Sequence, residues 1–412
     1  MILLYIDPGT GSMLFTILLG VIGAGVYSLR MLMMKLRFII SGGKVEVNKD
    51  KIPFAIFSDD KRYWSVFDPI CREFNKRGKD VVYMTSSEDD PVFDCPYEHV
   101  KAEFIGKDNK AFAKLNFLNA EILLSTTPGL EVYQWKRSKD VSYYVHIPHA
   151  ASDITIYRMF GIDYYDAILL SGEYQVEDVR ALEKLRNLPE KELVKIGIPY
   201  MDDMKRRLEQ AEPVENKERT VLLAPSWGPS AIFSVYGGKI IDVLLKTGYH
   251  VIVRPHPQSF KSEADMLDKL MKQYPESEQL EWNRDTDNFE VLRRSDILIT
   301  DFSGVIFDFT LVYDKPVIYT NPNFDLSVYD AWWLKKPIWT TGALPRLGRE
   351  LNDENMDQLK ELIDSCLMDS SFEEGRNKVK QETWEYPGEG AVRTVDYLIQ
   401  KYEELTEKEK EK

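Results

Sequence analysis

The chain has few cysteines, few histidines and a deficit of positive charge. Its three cysteines, Cys71, Cys95 and Cys366, stand far apart and form no Cys-x-x-Cys pair. The sequence therefore offers neither a disulfide framework nor a zinc pattern, and it favours a reducing, cytoplasmic setting. The formal net charge of −14 argues against a nucleic acid as the main partner. Residues 7–12 are glycine-rich but lack the Gly-Lys-Ser/Thr ending of a phosphate loop, and we expect neither metal nor cofactor.

What the chain does have is the composition of a folded protein. It contains 44% hydrophobic and 12% aromatic residues, and 412 residues are too many for one ordinary core. From residue 52 onwards, short β-branched runs alternate with stretches of helical spacing. The predicted strands are residues 53–57, 81–85, 121–125, 141–146, 165–171, 220–225, 250–254, 280–282, 297–300 and 316–319. This alternation predicts an α/β protein with mainly parallel sheets in two domains.

One apolar run near the start indicates a membrane anchor. Residues 8–29 carry no charge, and about 20 apolar residues can span a bilayer. Only Asp7 precedes the run, whereas Arg30, Lys35 and Arg37 follow it. The positive-inside rule then predicts a transmembrane helix at about residues 11–29, an outside amino terminus and a basic interfacial segment to residue 44. A buried core helix is the alternative, and a cleaved signal peptide fits poorly because the basic residues come after the run.

The stretch that organises the rest of the chain is residues 293–309, RRSDILITDFSGVIFDF. Residues 297–300 predict a buried strand, and the apolar run that follows predicts a core helix that begins near Ser303. The free amides at such a helix start favour phosphate. In the alternative interpretation, Asp301 and Ser303 only cap the helix.

A second strand ends in residues with phosphate chemistry. Residues 250–257, HVIVRPHP, place Arg254 and His256 directly after a β-branched run. Ligands of open α/β sheets bind beyond the carboxyl ends of the strands, so we expect a cation, an imidazole and a helix start at one edge.

These two stretches together resemble the CDP-glycerol glycerophosphotransferases, bacterial enzymes that build teichoic-acid-type poly(glycerol phosphate). The resemblance covers about residues 50–390 and implies a GT-B fold, two Rossmann-like domains that face a cleft. The family turn usually has two serines, whereas here Ser303 is followed by Gly304. Ser226 stands where the family often has a threonine near the donor. Residues 195–203 resemble the Gly-x-Pro-x-x-Asp segment with which the family leaves its first domain.

The same resemblance singles out one of two histidines at the end of a third predicted strand. The run YYVHIPHAASDITIY, residues 143–157, contains His146 and His149. His149 matches the histidine of the family's Trp-His-Gly-Thr segment, its proposed general base, although the flanking residues differ. His146 is the second candidate, and both could instead be structural histidines held by backbone groups.

The resulting hypothesis is a membrane-anchored transferase that moves glycerol phosphate from CDP-glycerol to a hydroxyl of a lipid-linked acceptor. His149 would take the hydroxyl proton, and His256 is a further catalytic candidate that would also hold the diphosphate. Arg254, Ser303 and Gly304 would bind the diphosphate with it. Asp301 and Ser226 belong to the same predicted donor site, in which Asp301 and Asp308 order the turn. The expected parts are the anchor (1–44), an acceptor domain (50–205), a donor domain (218–385) and a final helix with a charged tail (386–412).

Two alternatives stay open at this point. A glycosyltransferase that uses a nucleotide sugar, or a transferase for another CDP-polyol, would keep the enzyme and change the donor. A catalytically inactive membrane scaffold with this fold would keep the architecture alone. The aromatic run at residues 329–341 fits core packing or the lining of a donor pocket.

Overall fold

Two parallel β-sheets form the framework that positions the candidate site. The structure, a computed structural model, describes residues 51–214, 218–285, 287–320 and 325–411. Within these residues, the strands of the first sheet are β1 (Ile52–Ser58), β2 (Val81–Thr85), β3 (Val100–Phe104), β4 (Ala120–Ser125), β5 (Val141–His146), β6 (Ala167–Leu170) and β7 (Glu192–Lys195). Those of the second sheet are β8 (Thr220–Leu223), β9 (His250–Val253), β10 (Leu280–Trp282), β11 (Ile297–Thr300), β12 (Val317–Tyr319) and β13 (Gly348–Glu350).

The α-helices lie between the strands and after them. They are α1 (Trp64–Lys76), α2 (Asn109–Leu115), α3 (Glu173–Arg186), α4 (Pro199–Gln210), α5 (Ile232–Tyr236), α6 (Lys239–Lys246), α7 (Ser259–Ser262), α8 (Ala264–Gln273), α9 (Phe289–Arg294), α10 (Val305–Phe307), α11 (Ala331–Leu334), α12 (Trp339–Leu347), α13 (Leu359–Met368), α14 (Ser371–Thr383) and α15 (Gly390–Lys410). A π-helix, Asp308–Val312, continues α10. Short 3₁₀ turns occur at Lys61–Tyr63, Pro91–Asp94, Ile154–Ile156, Leu326–Val328 and Met356–Gln358.

Both sheets have the strand order of a Rossmann fold. The first runs β3-β2-β1-β4-β5-β6-β7 and the second β10-β9-β8-β11-β12-β13. All pairs are parallel; in the second sheet, Ile297 pairs with Val221 and Ile299 with Leu223. The order reverses between β1 and β4 and between β8 and β11, and such switch points open the crevices in which α/β proteins bind ligands. The prediction of an α/β protein with parallel sheets is confirmed.

One continuous apolar core joins the two sheets, which belong to a single compact unit, Ile52–Lys412. Buried residues of the first sheet, such as Ile56 and Val145, share a cluster with Leu222 and Leu298 of the second. Trp339 stacks on Tyr174 from α3 at 4.2 Å between ring centroids. The core therefore fixes the loops of one sheet against those of the other.

The segment that leaves the first sheet shows why a Gly-x-Pro-x-x-Asp pattern suits this place. Gly197 has φ +87°, and a Cβ there would lie 2.3 Å from the Glu385 carbonyl oxygen. Pro199 begins α4, where its missing N–H costs nothing. Asp202 then accepts hydrogen bonds from the amides of Gly388 (2.7 Å) and Gly390 (2.9 Å), at the start of α15. The pattern thus closes the carboxyl-terminal segment onto the first half of the chain.

Three predictions need comment against this fold. The predicted core helix after β11 is split into α10 and the π-helix, where the Thr310 hydroxyl donates to the Ile306 carbonyl at 2.7 Å and competes with the backbone amide. The charged tail is a continuation of α15, whose Lys401 pairs with Glu192 at 2.7 Å. Among the described residues, no helix is both long and apolar enough to cross a bilayer, and the predicted span at residues 11–29 lies outside them.

Candidate active site

Asp301 and Ser226 meet at the switch point of the second sheet. Asp301 follows β11, is fully buried and accepts a hydrogen bond from the Ser226 amide at 2.9 Å. It accepts another from the Ile232 amide at 3.0 Å. Burial raises the pKa of the Asp301 carboxyl to about 6. Both residues were predicted to bind the donor, and their contacts show a carboxylate that holds the loop after β8 against the end of β11.

The turn at Ser303 and Gly304 faces the loop that carries His149. The Ile306 amide donates to the Ser303 carbonyl at 3.2 Å, so the helix starts where the sequence predicts. Gly304 lies so close to the other sheet's loop that a Cβ on it would be 3.1 Å from the Ala150 Cβ. Ser303 and Gly304 are partly exposed. The predicted phosphate turn and the predicted base are therefore neighbours across the two sheets.

His149 is packed in an aromatic pocket and is held neutral. Its ring centroid lies 5.1 Å from that of Tyr63 and 6.1 Å from that of Tyr157. Its Nδ1 is buried and makes no hydrogen bond within the described chain. Burial, and then the positive charge of Arg62, lower the pKa of His149 to about 4. The neutral ring can accept a proton, although its lowered pKa makes it a weak base.

His146 lies deeper than His149. It is fully buried at the end of β5, and its Nε2 is 3.2 Å from the Tyr157 hydroxyl. Burial, and then the neighbouring His149, lower the pKa of His146 to about 3. The Tyr165 ring packs on it with centroids 4.9 Å apart. The arrangement suits a residue that supports the wall of the His149 pocket; its catalytic role stays a prediction.

His256 and Arg254 follow β9, as predicted, and differ in how they are held. His256 Nδ1 accepts a hydrogen bond from the Gln258 amide at 3.1 Å, so the neutral ring carries its proton on Nε2. Burial comes first among the causes that lower the pKa of His256 to about 4, followed by Arg62, His149 and Arg254. Arg254 donates from Nη1 to the Asn283 side chain, and burial lowers its pKa. Its guanidinium is therefore already partly engaged.

Asp308 joins the two halves beneath the turn. This buried carboxyl accepts hydrogen bonds from the Tyr200 hydroxyl at 3.0 Å and from Asn288 Nδ2 at 3.2 Å. Burial raises the pKa of Asp308 to about 6. Across the described part of the chain, no group of three or more His, Cys, Asp or Glu side chains is arranged to hold a metal ion. The contacts of Asp308 agree with the ordering role that we expected from the sequence.

Two carboxylates that were not predicted as site residues, Asp153 and Asp330, hold the loop after His149 in place. Asp153 accepts hydrogen bonds from the amides of Trp339 (2.6 Å) and Thr340 (3.0 Å), and so caps α12. Asp330 accepts one from the Phe160 amide at 2.8 Å. Both contacts run between residues that flank the two sheets. They hold the His149 loop against the second half of the molecule.

Sequence reasoning also missed the polar turn after β1. Tyr63, which packs on His149, and Arg62, whose guanidinium lies 5.3 Å from the Tyr63 ring centroid, belong to the run SDDKRY at residues 58–63. A polar run directly after a buried strand was the available signal, since β1 itself was predicted. Within the aromatic run at residues 329–341, Trp339 is partly buried and stacks on Phe307 against the core, as in the packing interpretation, whereas Trp332 is 58% exposed.

One cavity of the described part of the chain is separate from these histidines. It has a volume of about 680 Å³ and is lined by residues after β10 and on neighbouring helices, among them Trp282, Arg284 and Arg294. Arg294 is already paired with Glu281, which lines the same cavity. The candidate site is therefore defined by the ends of the strands and not by this cavity.

Comparison with known proteins shows which family part of the chain resembles. The model of the CDP-glycerol:poly(glycerophosphate) glycerophosphotransferases matches residues 162–332. Two teichoic acid glycerol-phosphate primases are similar: that of Bacillus subtilis is 26% identical over 40% of this chain and 41% of its own length. That of Bacillus spizizenii is 22% identical over 63% of this chain and 67% of its own length. This chain thus spans about two-fifths of the first relative.

Solved structures of low identity share the fold. UDP-GlcNAc 2-epimerase from Methanocaldococcus jannaschii superposes with a TM-score of 0.56 at 12% identity, over 85% of this chain and 99% of that chain. The enzyme from Neisseria meningitidis gives 0.53 at 12% identity, over 85% and 100%. The two parallel sheets therefore form a GT-B-like fold. The family match includes Arg254, His256 and the turn at Ser303, and it begins after His149. Residues 162–332 of this chain are thus similar to the CDP-glycerol:poly(glycerophosphate) glycerophosphotransferase family.

Proposed function

We propose that this protein transfers glycerol phosphate from CDP-glycerol to a hydroxyl of a membrane-bound acceptor, in the synthesis of a teichoic-acid-type polymer. The observation that carries the proposal is the approach of Ala150, next to His149, to Gly304 in the phosphate turn. It brings the loop of His149, from the first sheet, to the edge of the second sheet, where Gly304 lies inside the matched residues 162–332. A base and a diphosphate site on opposite sheets are what such a transfer requires.

The chemistry follows from these positions. The acceptor hydroxyl gives its proton to His149, and its oxygen attacks the distal phosphorus of CDP-glycerol. The bond between that phosphorus and the bridging oxygen breaks, and CMP leaves with the bonding electrons. Phosphoryl transfer depends mainly on positioning and on stabilisation of charge. The amides at the start of α10 and the Nε2–H of His256 supply donors for the diphosphate oxygens.

Binding of the donor changes the state of the two histidines. Burial and cationic neighbours lower the pKa values of His149 and His256 to about 4. A diphosphate adds negative charge beside both rings, which favours their protonated forms and raises both pKa values. His149 then becomes a better base, and His256 can donate a charge-assisted hydrogen bond to the leaving CMP.

Membrane attachment is the part of the proposal that rests on sequence alone. The uncharged run at residues 8–29 and the basic residues after it support a single anchor, with the amino terminus outside and residues 50–385 in the cytoplasm. Nucleotide-activated donors are made in the cytoplasm, so this orientation would present the site to them. A lipid-linked acceptor would diffuse in the same membrane. We also propose residues 50–205 as the acceptor domain and 218–385 as the donor domain.

The released nucleotide tests the proposal. The purified full chain is mixed in detergent with CDP-glycerol, CDP-ribitol or UDP-GlcNAc and a hydroxyl-bearing lipid acceptor, and the products are separated by chromatography. We expect CMP from CDP-glycerol, in equal amount to the glycerol phosphate gained by the acceptor. The His149→Ala variant is the matched control for contaminating activity.

Three results would contradict it in different ways. Release of CMP from CDP-ribitol alone would show that the donor is CDP-ribitol. Release of UDP from UDP-GlcNAc would show that the protein is a glycosyltransferase. No release from any donor, together with a His149→Ala variant that behaves as the parent in binding, would favour an inactive scaffold.

A further inference from the structure

We infer that Arg62 is a catalytic residue that binds the transferred phosphate, between His149 and His256. The inference rests on the proposed function and names a residue that lies outside the matched family region. Arg62 lies in the 3₁₀ turn Lys61–Tyr63, directly after β1, at the switch point of the first sheet.

The neighbours of Arg62 along the chain reach both sides of the site. Tyr63 packs its ring on His149 at 5.1 Å. Asp60 lies 3.4 Å from Nζ of Lys261, which stands on α7 of the second sheet's half. Arg62 lies between Asp60 and Tyr63 in the sequence. The turn is therefore held from the His149 side and from the side of the second sheet, so its arginine lies where the two meet.

The guanidinium is oriented but not fully used. It lies over the Tyr63 ring, 5.3 Å from its centroid. Nε is buried and makes no hydrogen bond in the part of the chain described, and Asp60 Oδ1 lies 3.4 Å from it. The same Asp60 oxygen accepts a hydrogen bond from the Arg62 backbone amide at 3.1 Å. An arginine fork with an unused donor is suited to two oxygens of a phosphate.

The electrostatic influence of Arg62 reaches both histidines. Its charge contributes to the low pKa of His149 and is the largest charge effect on His256. Arg254, by contrast, donates to Asn283 and faces Asp285 and Asp287. Two acids, Asp59 and Asp60, lie near Arg62; Asp59 is tied to Thr127 at 3.0 Å and Asp60 caps the turn. Arg62 is thus the cation best placed for charge that develops on the phosphorus oxygens.

The test compares Arg62→Gln, Arg62→Lys and Arg77→Gln in the full chain. Arg77 is a partly buried arginine on the adjacent segment that pairs with Glu73 at 2.7 Å, and it controls for a lost ion pair. We expect Arg62→Gln to lower the rate of CMP release about 10²–10³-fold, as loss of one transition-state donor does. Arg62→Lys should recover part of that rate because it keeps charge and loses the fork. Arg77→Gln should stay within about twofold of the parent rate.

Two further measurements separate catalysis from structure. Added guanidinium should restore part of the rate of an Arg62→Ala variant, and the acidic limb of its kcat/KM profile should move to higher pH because His149 loses a cationic neighbour. CMP affinity should not change. A rate within twofold of the parent, or a loss that guanidinium does not restore and that accompanies a lower Tm, would overturn the inference.

The donor itself needs a separate arm. Inorganic pyrophosphate is titrated into the parent and into Arg62→Gln by calorimetry, which makes no assumption about CDP-glycerol. We expect at least tenfold weaker binding by the variant, and equal binding would overturn the role of Arg62. If the parent protein releases no CMP but Arg62→Gln still binds pyrophosphate more weakly than the parent does, the proposed donor is refuted and the phosphate-binding role of Arg62 stands.

Discussion

Replacement of Gly304 by alanine tests whether the two sheets meet at the candidate site. The added Cβ would lie 3.1 Å from the Ala150 Cβ, a contact tighter than carbon atoms normally make. Ala150 cannot move away easily, because Asp153, three residues further on, caps α12. The Gly304→Ala variant therefore has to displace the His149 loop or the phosphate turn by a few tenths of an ångström.

The expected magnitude is a balance of two effects. Gly304 has φ −58°, a helical conformation in which alanine gains about 0.4–1 kcal/mol from the unfolded state. Overpacking costs about 1–3 kcal/mol. We expect a net destabilisation of about 1–2 kcal/mol and a loss of turnover, since the shift separates His149 from the phosphate turn. Combining the variant with Ala150→Gly removes the contact and should restore both.

Gly342 provides the matched control. It lies in α12, and nothing stands within 4 Å of the Cβ that alanine would add. Gly342→Ala should show the conformational gain alone, with turnover unchanged. The assay is thermal unfolding of the four Gly304 and Ala150 combinations, with CMP release measured in parallel. If Gly304→Ala behaves as Gly342→Ala does, or if Ala150→Gly fails to rescue it, the loops do not meet as the structure shows.

Four further outcomes follow from the same structure. His149→Ala should lower CMP release about 10²–10⁴-fold with little change in donor affinity, and His146→Ala should do less; the reverse order would make His146 the base. Donor affinity should rise as pH falls from about 7.5 to 5.5, by up to about tenfold per unit for the one proton that His256 takes up, because the diphosphate raises its low pKa; calorimetry that shows no proton uptake would contradict this. A chain that starts at Lys44 should leave the membrane fraction, and retention there as strong as that of the full chain would count against the anchor. Asp202→Ala should lower Tm through the loss of its bonds to the α15 segment, with activity per folded molecule intact, and lost activity at equal stability would refute a purely structural role.

The central strands were predictable because both of their faces are buried. Such strands read as continuous β-branched runs, and β11 was predicted with the boundaries that the structure gives. The edge strands β3, β7 and β13 were missed, since they are short or carry charged residues on an exposed side. That Arg254, His256 and Ser303 follow parallel strands of one sheet, and so lie at the same edge of it, was predictable from topology alone.

The roles of individual polar residues were harder to predict. Asp301 looks the same in sequence whether its carboxylate meets a ligand or the amides of Ser226 and Ile232, 69 and more residues away along the chain. The approach of Gly304 to Ala150 and the cap that Asp153 gives to α12 are likewise long-range contacts. Local pattern carries no signal for such contacts, because they depend on how the two sheets pack.

A crystal structure of the full chain with CDP-glycerol tests the central claim most directly. We predict the diphosphate within hydrogen-bond distance of the amides that follow Ser303 and of His256 Nε2, and the distal phosphorus on the side of His149 and Arg62. Density for the nucleotide in the cavity beside Arg284 and Arg294, with the edge at Ser303 and His149 empty, would contradict it.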